Sequence, residues 1–294
     1  MSRKNIISII LIICMAVSCT SCANKGSSKE EGLIKPIAIK GESIKSIGDK
    51  TRQINEEIRD IVGDDIDRMG LYYYDIKTGE NIAINEDKVF RAASTTKVDL
   101  AMMVMDAMNR GELSPNDTFS YVEELDYEDG TGILQDLETI KPLTVMELIK
   151  LSIVYSDNIA TNMLYRTTPY NRSDYIYKVT GIPCKKEINE STPKQQFLML
   201  KKLYENNEKN PYYDKLIEFM KETEFHDRID KDIPWEICAH KIGNNDMYIH
   251  DIGIIYTENP YILVVYTEDL GNEEYAMNVI SDISKKIYEI NQSN

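Results

Sequence analysis

The sequence predicts an α+β protein: one five-stranded antiparallel sheet flanked by helices, with an all-α subdomain inserted into it. Three observations carry that prediction. Strand-type patterns cluster at the two ends of the folding part of the chain, helix-type patterns fill its middle, and no internal repeat is visible. The chain has 294 residues, 42% hydrophobic and 28% charged, which is enough apolar material to bury a core over most of its length. Lys and Arg number 34 against 49 Asp and Glu, a formal net charge of −15. So acidic a surface repels phosphate backbones and anionic headgroups, and nucleic acid is not an expected partner.

Taken in order, Arg3 and Lys4 precede an apolar run from Ile6 to Val17 interrupted only by Ser8, the pattern of an export signal over residues 1–18. The run is too short for roughly 30 Å of hydrocarbon, which argues against a retained membrane span. Ala16-Val17-Ser18-Cys19 resembles a bacterial lipobox, so Cys19, or else Cys22, is the expected lipidation site. Residues 19–45 are rich in Lys, Ser, Gly and Glu without periodicity and read as a flexible linker. The domain is therefore expected outside the cytoplasm, tethered to the membrane through a lipid anchor.

Within the folding part, Ile54, Ile58 and Ile61 or Val62 give Asp49–Val62 a helical period. The period then changes to that of two strands, 71–75 and 81–85, around a turn containing Lys77-Thr78-Gly79. Val98, Met102, Met105 and Met108 form an apolar stripe, read as core packing, on a helix that closes at Asn109-Arg110-Gly111. Thr144 and Glu147 make a capping box, and Thr192-Pro193 places an N-cap before a proline at the first helical position. Strands over 237–241, 247–256 and 261–267 and a helix over 273–290 complete the pattern. These elements divide into an α/β subdomain, 46–93 with 235–294, and an all-α subdomain, 94–234.

Of five cysteines only Cys184 and Cys238 fall in the folding part, and either a disulfide or two free buried thiols fits them. The three histidines, His226, His240 and His250, are scattered, and no Cys/His cluster has zinc-site spacing. Neither a metal nor a cofactor is expected.

The chemistry sits in three short motifs. Ser94-Thr95-Thr96-Lys97 leads into the Met-rich helix, with Lys97 one turn on from Ser94 and on the same side. A serine hydroxyl needs a neighbouring base, and a helix amino terminus stabilises the negative charge that develops on attack. Tyr155-Ser156-Asp157-Asn158 falls between two helix patterns and supplies a hydroxyl to relay a proton and an amide to bind a carbonyl or a lysine. His240-Lys241-Ile242-Gly243 ends a predicted strand, where the lysine offers positive charge to an anionic substrate and the glycine lets substrate lie against the strand edge. Each motif has a decoy: Ser191-Thr192-Pro193-Lys194, Ser114-Pro115-Asn116 and Lys77-Thr78-Gly79. Order separates them, because Ser94, Ser156 and Lys241 follow one another as nucleophile, interhelix loop and strand.

In these motifs the sequence resembles the class A-like serine β-lactamase and penicillin-binding superfamily over about residues 50–290. The resemblance implies a β-lactamase/transpeptidase-like fold with Ser94 as acylated nucleophile and Lys97 as its base. It also implies Ser156 and Asn158 as proton relay and substrate-amide contact, with Lys241 and Gly243 facing the substrate carboxylate. The oxyanion hole would use the backbone N–H groups of Ser94 and Asn244.

Two departures follow from the same comparison. The segment from Gly181 to Pro193 is shorter than the family's Glu-x-x-Leu-Asn loop; matching Ile188-Asn189 to Leu-Asn puts Lys185 where the deacylating glutamate should stand, and leaves Glu187 or Glu190 on a different backbone path. Acylation should survive while hydrolysis of the acyl-enzyme slows. Ile242 replaces the usual Thr or Ser, and one lost hydrogen bond to a charged group is worth about 1.5–3 kcal/mol, roughly ten- to hundredfold in binding. The expected function is thus an acyl-enzyme-forming hydrolase of β-lactams or related amides with slow deacylation. The alternatives are a penicillin-binding or D,D-peptidase-like enzyme acting on cell-wall peptide, and a non-catalytic β-lactam or peptide sensor. A triad built on His240 or His250 with Asp251 is the least favoured, because both histidines fall in strand patterns.

Overall fold

The computed structural model describes residues 48–185 and 189–293. The expected export signal, Cys19, Cys22 and the linker lie outside the described residues, as do Glu187 and Ile188. The chain opens with α1 (Asp49–Val62), β1 (Met69–Asp75), β2 (Asn81–Ile84), β3 (Phe90–Arg91) and α2 (Thr96–Asn109). Next come β4 (Thr118–Phe119), α3 (Glu123–Asp126), β5 (Leu143–Thr144), α4 (Val145–Val154), α5 (Asn158–Thr167) and α6 (Arg172–Thr180). It continues through β6 (Glu190–Ser191), α7 (Pro193–Glu205) and α8 (Tyr213–Lys221), and ends with β7 (Cys238–Asn245), β8 (Tyr248–Ile255), β9 (Tyr261–Thr267) and α9 (Glu273–Gln292).

Five strands pair antiparallel in the order β2-β1-β9-β8-β7, so the first hairpin and the last three strands meet in one sheet. Both faces of that sheet are buried, and the pleat sorts the side chains between them. Tyr72, Ile252, Ile254, Ile262, Val264 and Tyr266 pack with the helices of the central part of the chain, α2, α4, α5, α7 and α8. Leu71, Tyr73, Ile255, Leu263 and Val265 pack on the other face, against Ile54 and Ile58 of α1 and Ile280, Ile283 and Ile287 of α9.

Two elements differ from the sequence expectation for physical reasons. The predicted stripe on α2 is an all-round burial: every residue from Thr96 to Met108 is buried, because α4, α5, α6 and α8 surround the helix. Polar residues such as Asp99 and Asp106 mask this in the sequence; inside, Asp99 bonds Gln196 and Arg172, and Asp106 bonds Tyr175, Tyr213 and Asn210. β7 runs on to Asn245 rather than ending at Lys241, pairing Asn245 with Tyr248 across a tight turn in which Asp246 takes a positive φ of 51°. The capping boxes at Thr144 and Thr192 are both formed, and Cys184 and Cys238 are both free thiols.

His250 is fully buried and fully bonded, which removes it from any triad. Its Nε2–H donates to Arg91 O at 2.7 Å and its Nδ1 accepts from Thr267 N at 3.1 Å, with the ring edge-on to Tyr266. Burial holds the imidazole neutral and lowers its pKa from 6.5 to about 3. An unfolded chain takes up this proton near 6.5 and the folded chain does not, so stability falls as pH drops from 6.5 toward about 3. The slope for one such group is about 1.4 kcal/mol per pH unit. Urea unfolding of His250→Gln across that range should show a shallower acid loss than the parent; parallel profiles would rule this account out.

Candidate active site

Ser94 lies in a single 3-10 turn, Ala93–Thr95, that runs directly into α2. Ala93 has a positive φ of 50°, a conformation that costs about 1–3 kcal/mol for a residue with a side chain. Bonds on every side hold the turn in it. Ala92 N–H donates to Asn189 O at 3.0 Å, and Asn189 Nδ2 donates back to Ala93 O at 3.1 Å. Thr95 Oγ1 bonds Ala92 O at 2.7 Å and Tyr266 OH at 2.6 Å, and His250 fixes the carbonyl of Arg91. β7 presses on the same turn at Gly243, where a Cβ would stand 3.0 Å from Ala92 O and Thr95 Cγ2 and 3.3 Å from Ala93 Cβ. Gly243 is therefore required by contact with the Ser94 turn, a different reason from the substrate approach that the sequence suggests.

Lys97 is buried at 5% exposure, and its amine donates to Ser156 O at 2.5 Å, Ser156 Oγ at 3.2 Å and Asn158 Oδ1 at 2.8 Å. Among the described residues it makes no hydrogen bond to Ser94. The spacing puts it on the Ser94 side, but a carbonyl and an amide oxygen are better partners for a buried ammonium than a hydroxyl, and catalytic hydrogen bonds tighten only when substrate arrives. Burial lowers the pKa of Lys97 from 10.5 to about 7, opposed by the carboxylates of Asp157 and Glu128. Lys241 is fully buried and donates to Ser156 Oγ at 3.0 Å and to Ile242 O at 3.1 Å. Burial first and the charge of Lys97 second drive its pKa well below the ordinary lysine value. Ser156 Oγ thus lies between the two amines, and the charge of Lys97 disfavours protonation of Lys241.

The loop that brings Ser156 here is itself constrained: Ser156 has a positive φ of 52°. Asp157, which the motif reading passed over, organises it. One carboxylate oxygen caps α5 through Ala160 N at 2.8 Å, and the other accepts Ile133 N and Leu134 N, both at 2.8 Å. Gly132 is needed beside it, since a Cβ there would fall 2.3 Å from Asp157 Oδ2. The N-cap position just before a helix pattern was the available signal for Asp157. Asn158 Nδ2 donates to Asp129 O at 3.0 Å, so its amide links Lys97 to that segment. Asn244 is exposed at the end of β7, its side chain held by Arg228 Nη2 at 2.5 Å and by Glu273. Arg228, buried at 1% exposure, also donates to His250 O at 3.1 Å and was not legible as part of the site. His240 does meet Asp251, at 2.9 Å, but on the side of β7 away from Lys241 and far inside the protein, where it serves no serine.

Lys185 and Glu190 pair with each other, nitrogen to oxygen 3.3 Å. A cavity of about 500 Å³ is lined by Thr96, Asn162, Arg172, Lys185 and Asn189, and among the described residues the one carboxylate on its wall is Glu128, whose Oε2 accepts from Asn162 Nδ2 at 2.9 Å.

Comparison with known proteins follows the same lines. The Beta-lactamase enzyme family model matches residues 53–290. The ROB-1 beta-lactamase of Haemophilus influenzae is 29% identical over 99 residues, 34% of this chain and 31% of that enzyme, so the match spans about a third of the curated relative. A beta-lactamase from Sphaerobacter thermophilus superposes with a TM-score of 0.73 at 22% identity, covering 83% of this chain and 98% of that one. A mutant of a protein named PBP-A, solved as an acyl-enzyme complex with penicillin G, superposes with a TM-score of 0.73 at 20% identity over 83% of this chain and 97% of its own. These likenesses show the fold.

Gly243→Ala forces a methyl group into the carbonyl of Ala92 and the side chain of Ala93, neither of which is a flexible chain end. Overpacking of this kind should lower unfolding free energy by about 1–3 kcal/mol in urea melts. A variant as stable as the parent would show that the turn yields.

Proposed function

Because the chain belongs to the Beta-lactamase enzyme family, we propose that it is a serine hydrolase that forms an acyl-enzyme with β-lactams or related amides and releases the acyl group slowly. The observation that carries this reading is Ser156 Oγ within 3.2 Å of Lys97 Nζ and 3.0 Å of Lys241 Nζ, next to the turn that presents Ser94. In the proposed reaction Ser94 Oγ attacks the amide carbonyl carbon and its proton passes to the neutral amine of Lys97. The carbonyl oxygen takes the negative charge, stabilised by the backbone N–H groups of Ser94 and Asn244. The C–N bond then breaks, the departing nitrogen takes a proton from Ser156 Oγ, and Ser156 regains one from the Lys97 ammonium. An ester on Ser94 and a protonated leaving nitrogen result, with Lys97 neutral again. Asn158 is assigned to the substrate amide, and Lys241 with Gly243 to the substrate carboxylate.

Slow release rests on the match of Ile188-Asn189 to the family's Leu-Asn, which puts Lys185 where the deacylating glutamate should stand; Glu187 lies outside the described residues. Lys185 stands at the matched position and is paired with Glu190, while Glu128 is already bonded to Asn162. The same observation favours a second reading, a penicillin-binding or D,D-peptidase-like role on cell-wall peptide, and PBP-A, whose mutant is held as a penicillin acyl-enzyme, is a fitting analogue. The export signal and a lipid anchor at Cys19 or Cys22 belong to this proposal and would put the domain on the extracytoplasmic side.

Intact-mass spectrometry after exposure to penicillin G should find one persistent adduct per chain on Ser94, absent in Ser94→Ala. No adduct and no turnover would favour a non-catalytic sensor, and rapid nitrocefin turnover would overturn slow release. Because Lys97 accepts the proton only when neutral, acylation should lose rate as pH falls through its pKa of about 7. Stopped-flow acylation at pH 6 should run about fivefold slower than at pH 7. A flat profile through this range would remove Lys97 as the base.

A further inference from the structure

On the opposite side of β7 from Lys241, ligand atoms from the α8–β7 connection and from β7 converge. Nδ1 of His226, a carboxylate oxygen of Asp230 and Nε2 of His240 all lie within 4.8 Å of one another. His240 Nε2 stands 3.1 Å from Asp230 Oδ2, and His226 Nδ1 contacts the same oxygen. We propose that these three residues hold a divalent ion of the zinc class, with a water in the fourth position. The sequence reading expects no metal because it weighs spacing along the chain; the fold supplies the cluster by laying the α8–β7 connection against β7.

One edge of the cluster already has the spacing of such an ion, and the closer His226–Asp230 contact opens to admit it. Bonds of about 2.0–2.1 Å in a tetrahedron set neighbouring ligand atoms roughly 3.3 Å apart, close to the separation already present between His240 and Asp230. The other nitrogen of His240 is also prepared. Its Nδ1 faces both oxygens of Asp251, at 2.9 and 3.1 Å, and Asp251 Oδ2 is in turn fixed by Ile229 N at 3.1 Å. A histidine held by a carboxylate through one nitrogen presents the lone pair of the other to a metal. A separate observation points the same way: among the described residues, Oδ1 of Asp230, in a buried side chain, has no hydrogen-bond partner, while His240 Nε2 faces Asp230 Oδ2. An unpaired carboxylate oxygen is costly in a dry interior, and a cation beside it removes the deficit. His226 is 46% exposed, which leaves a route in from solvent and room for a water ligand. Two imidazoles and one carboxylate suit zinc better than calcium or magnesium, which prefer all-oxygen sites.

An ion here would fasten the α8–β7 connection to the strand that carries Lys241. That connection also carries Arg228, which reaches Asn244 Oδ1 and His250 O. Binding replaces the proton that His240 Nε2 directs at Asp230 Oδ2, and that proton leaves to solvent.

The test uses the full chain, stripped with a chelator, desalted and titrated with zinc chloride by calorimetry, with cobalt(II) absorption as a second probe. We expect one zinc per chain and a cobalt spectrum of tetrahedral intensity without thiolate charge-transfer bands. His226→Ala should weaken zinc on the order of a hundredfold or more, and Asp251→Asn about ten- to hundredfold. His226 lies at the surface, so its variant keeps the experiment readable if Asp251→Asn fails to fold. Absence of stoichiometric binding, affinity unchanged in His226→Ala, or cobalt bound through a cysteine would each overturn the proposal.

Discussion

The arrangement turns on two lysine amines buried against one hydroxyl. Lys97 and Lys241 enter from different elements, α2 and β7, and both bond Ser156 Oγ from a position sealed off from water. An isolated buried ammonium is unstable, and the protein answers with carbonyl and amide oxygens, a nearby Asp157 and a pKa for Lys97 brought down to about 7. Everything else in the neighbourhood keeps those two amines and that oxygen in register. α2 must be buried on all sides to deliver Lys97, the sheet must place β7 at its edge to deliver Lys241, and the loop at Ser156 must accept a left-handed residue.

Around this pair the protein stores backbone strain and surrounds it with bonds. Ala93 and Ser156 both adopt positive φ, one on each side of the site. Neither is glycine, so each conformation persists only because neighbours over-determine it. For Ala93 those neighbours are Asn189, Thr95, His250 and Gly243, drawn from a loop, a turn and two strands of the sheet. Asn189 therefore braces the turn that bears Ser94, and Lys185 lines the cavity that Asn189 also borders.

Much of this was readable from residue patterns. Short apolar runs around turn residues gave away the strands, and Thr144 and Thr192 announced their helices, because such runs and capping are local properties. The three motifs were separable from their decoys by order and context together: Lys77-Thr78-Gly79 is a hairpin turn closed by Asp75, whose carboxylate accepts Lys77 N and Thr78 N at 3.0 and 2.9 Å. What stayed hidden depends on contacts between distant segments. Nothing local marks Asn189 as the clasp of the Ser94 turn, Arg228 as the support of Asn244, or His226 and His240 as neighbours across Asp230. Polar residues inside α2 hid its full burial for the same reason, since Asp99 and Asp106 find their partners only once Gln196, Arg172, Tyr175 and Tyr213 are in place.

The order β2-β1-β9-β8-β7 leaves the sheet with two unequal rims, a strand of four residues at one and a strand of eight at the other. The longer rim is the one that carries Lys241 and Gly243, and among the described residues no strand pairs with its outer side. A rim of that kind is a ready template for another extended chain, including a newly made copy of the same protein. Exposure of that edge and vulnerability to self-association are here one property of one strand, and the excess of acidic over basic residues, a formal charge of −15, supplies a long-range repulsion that opposes such pairing.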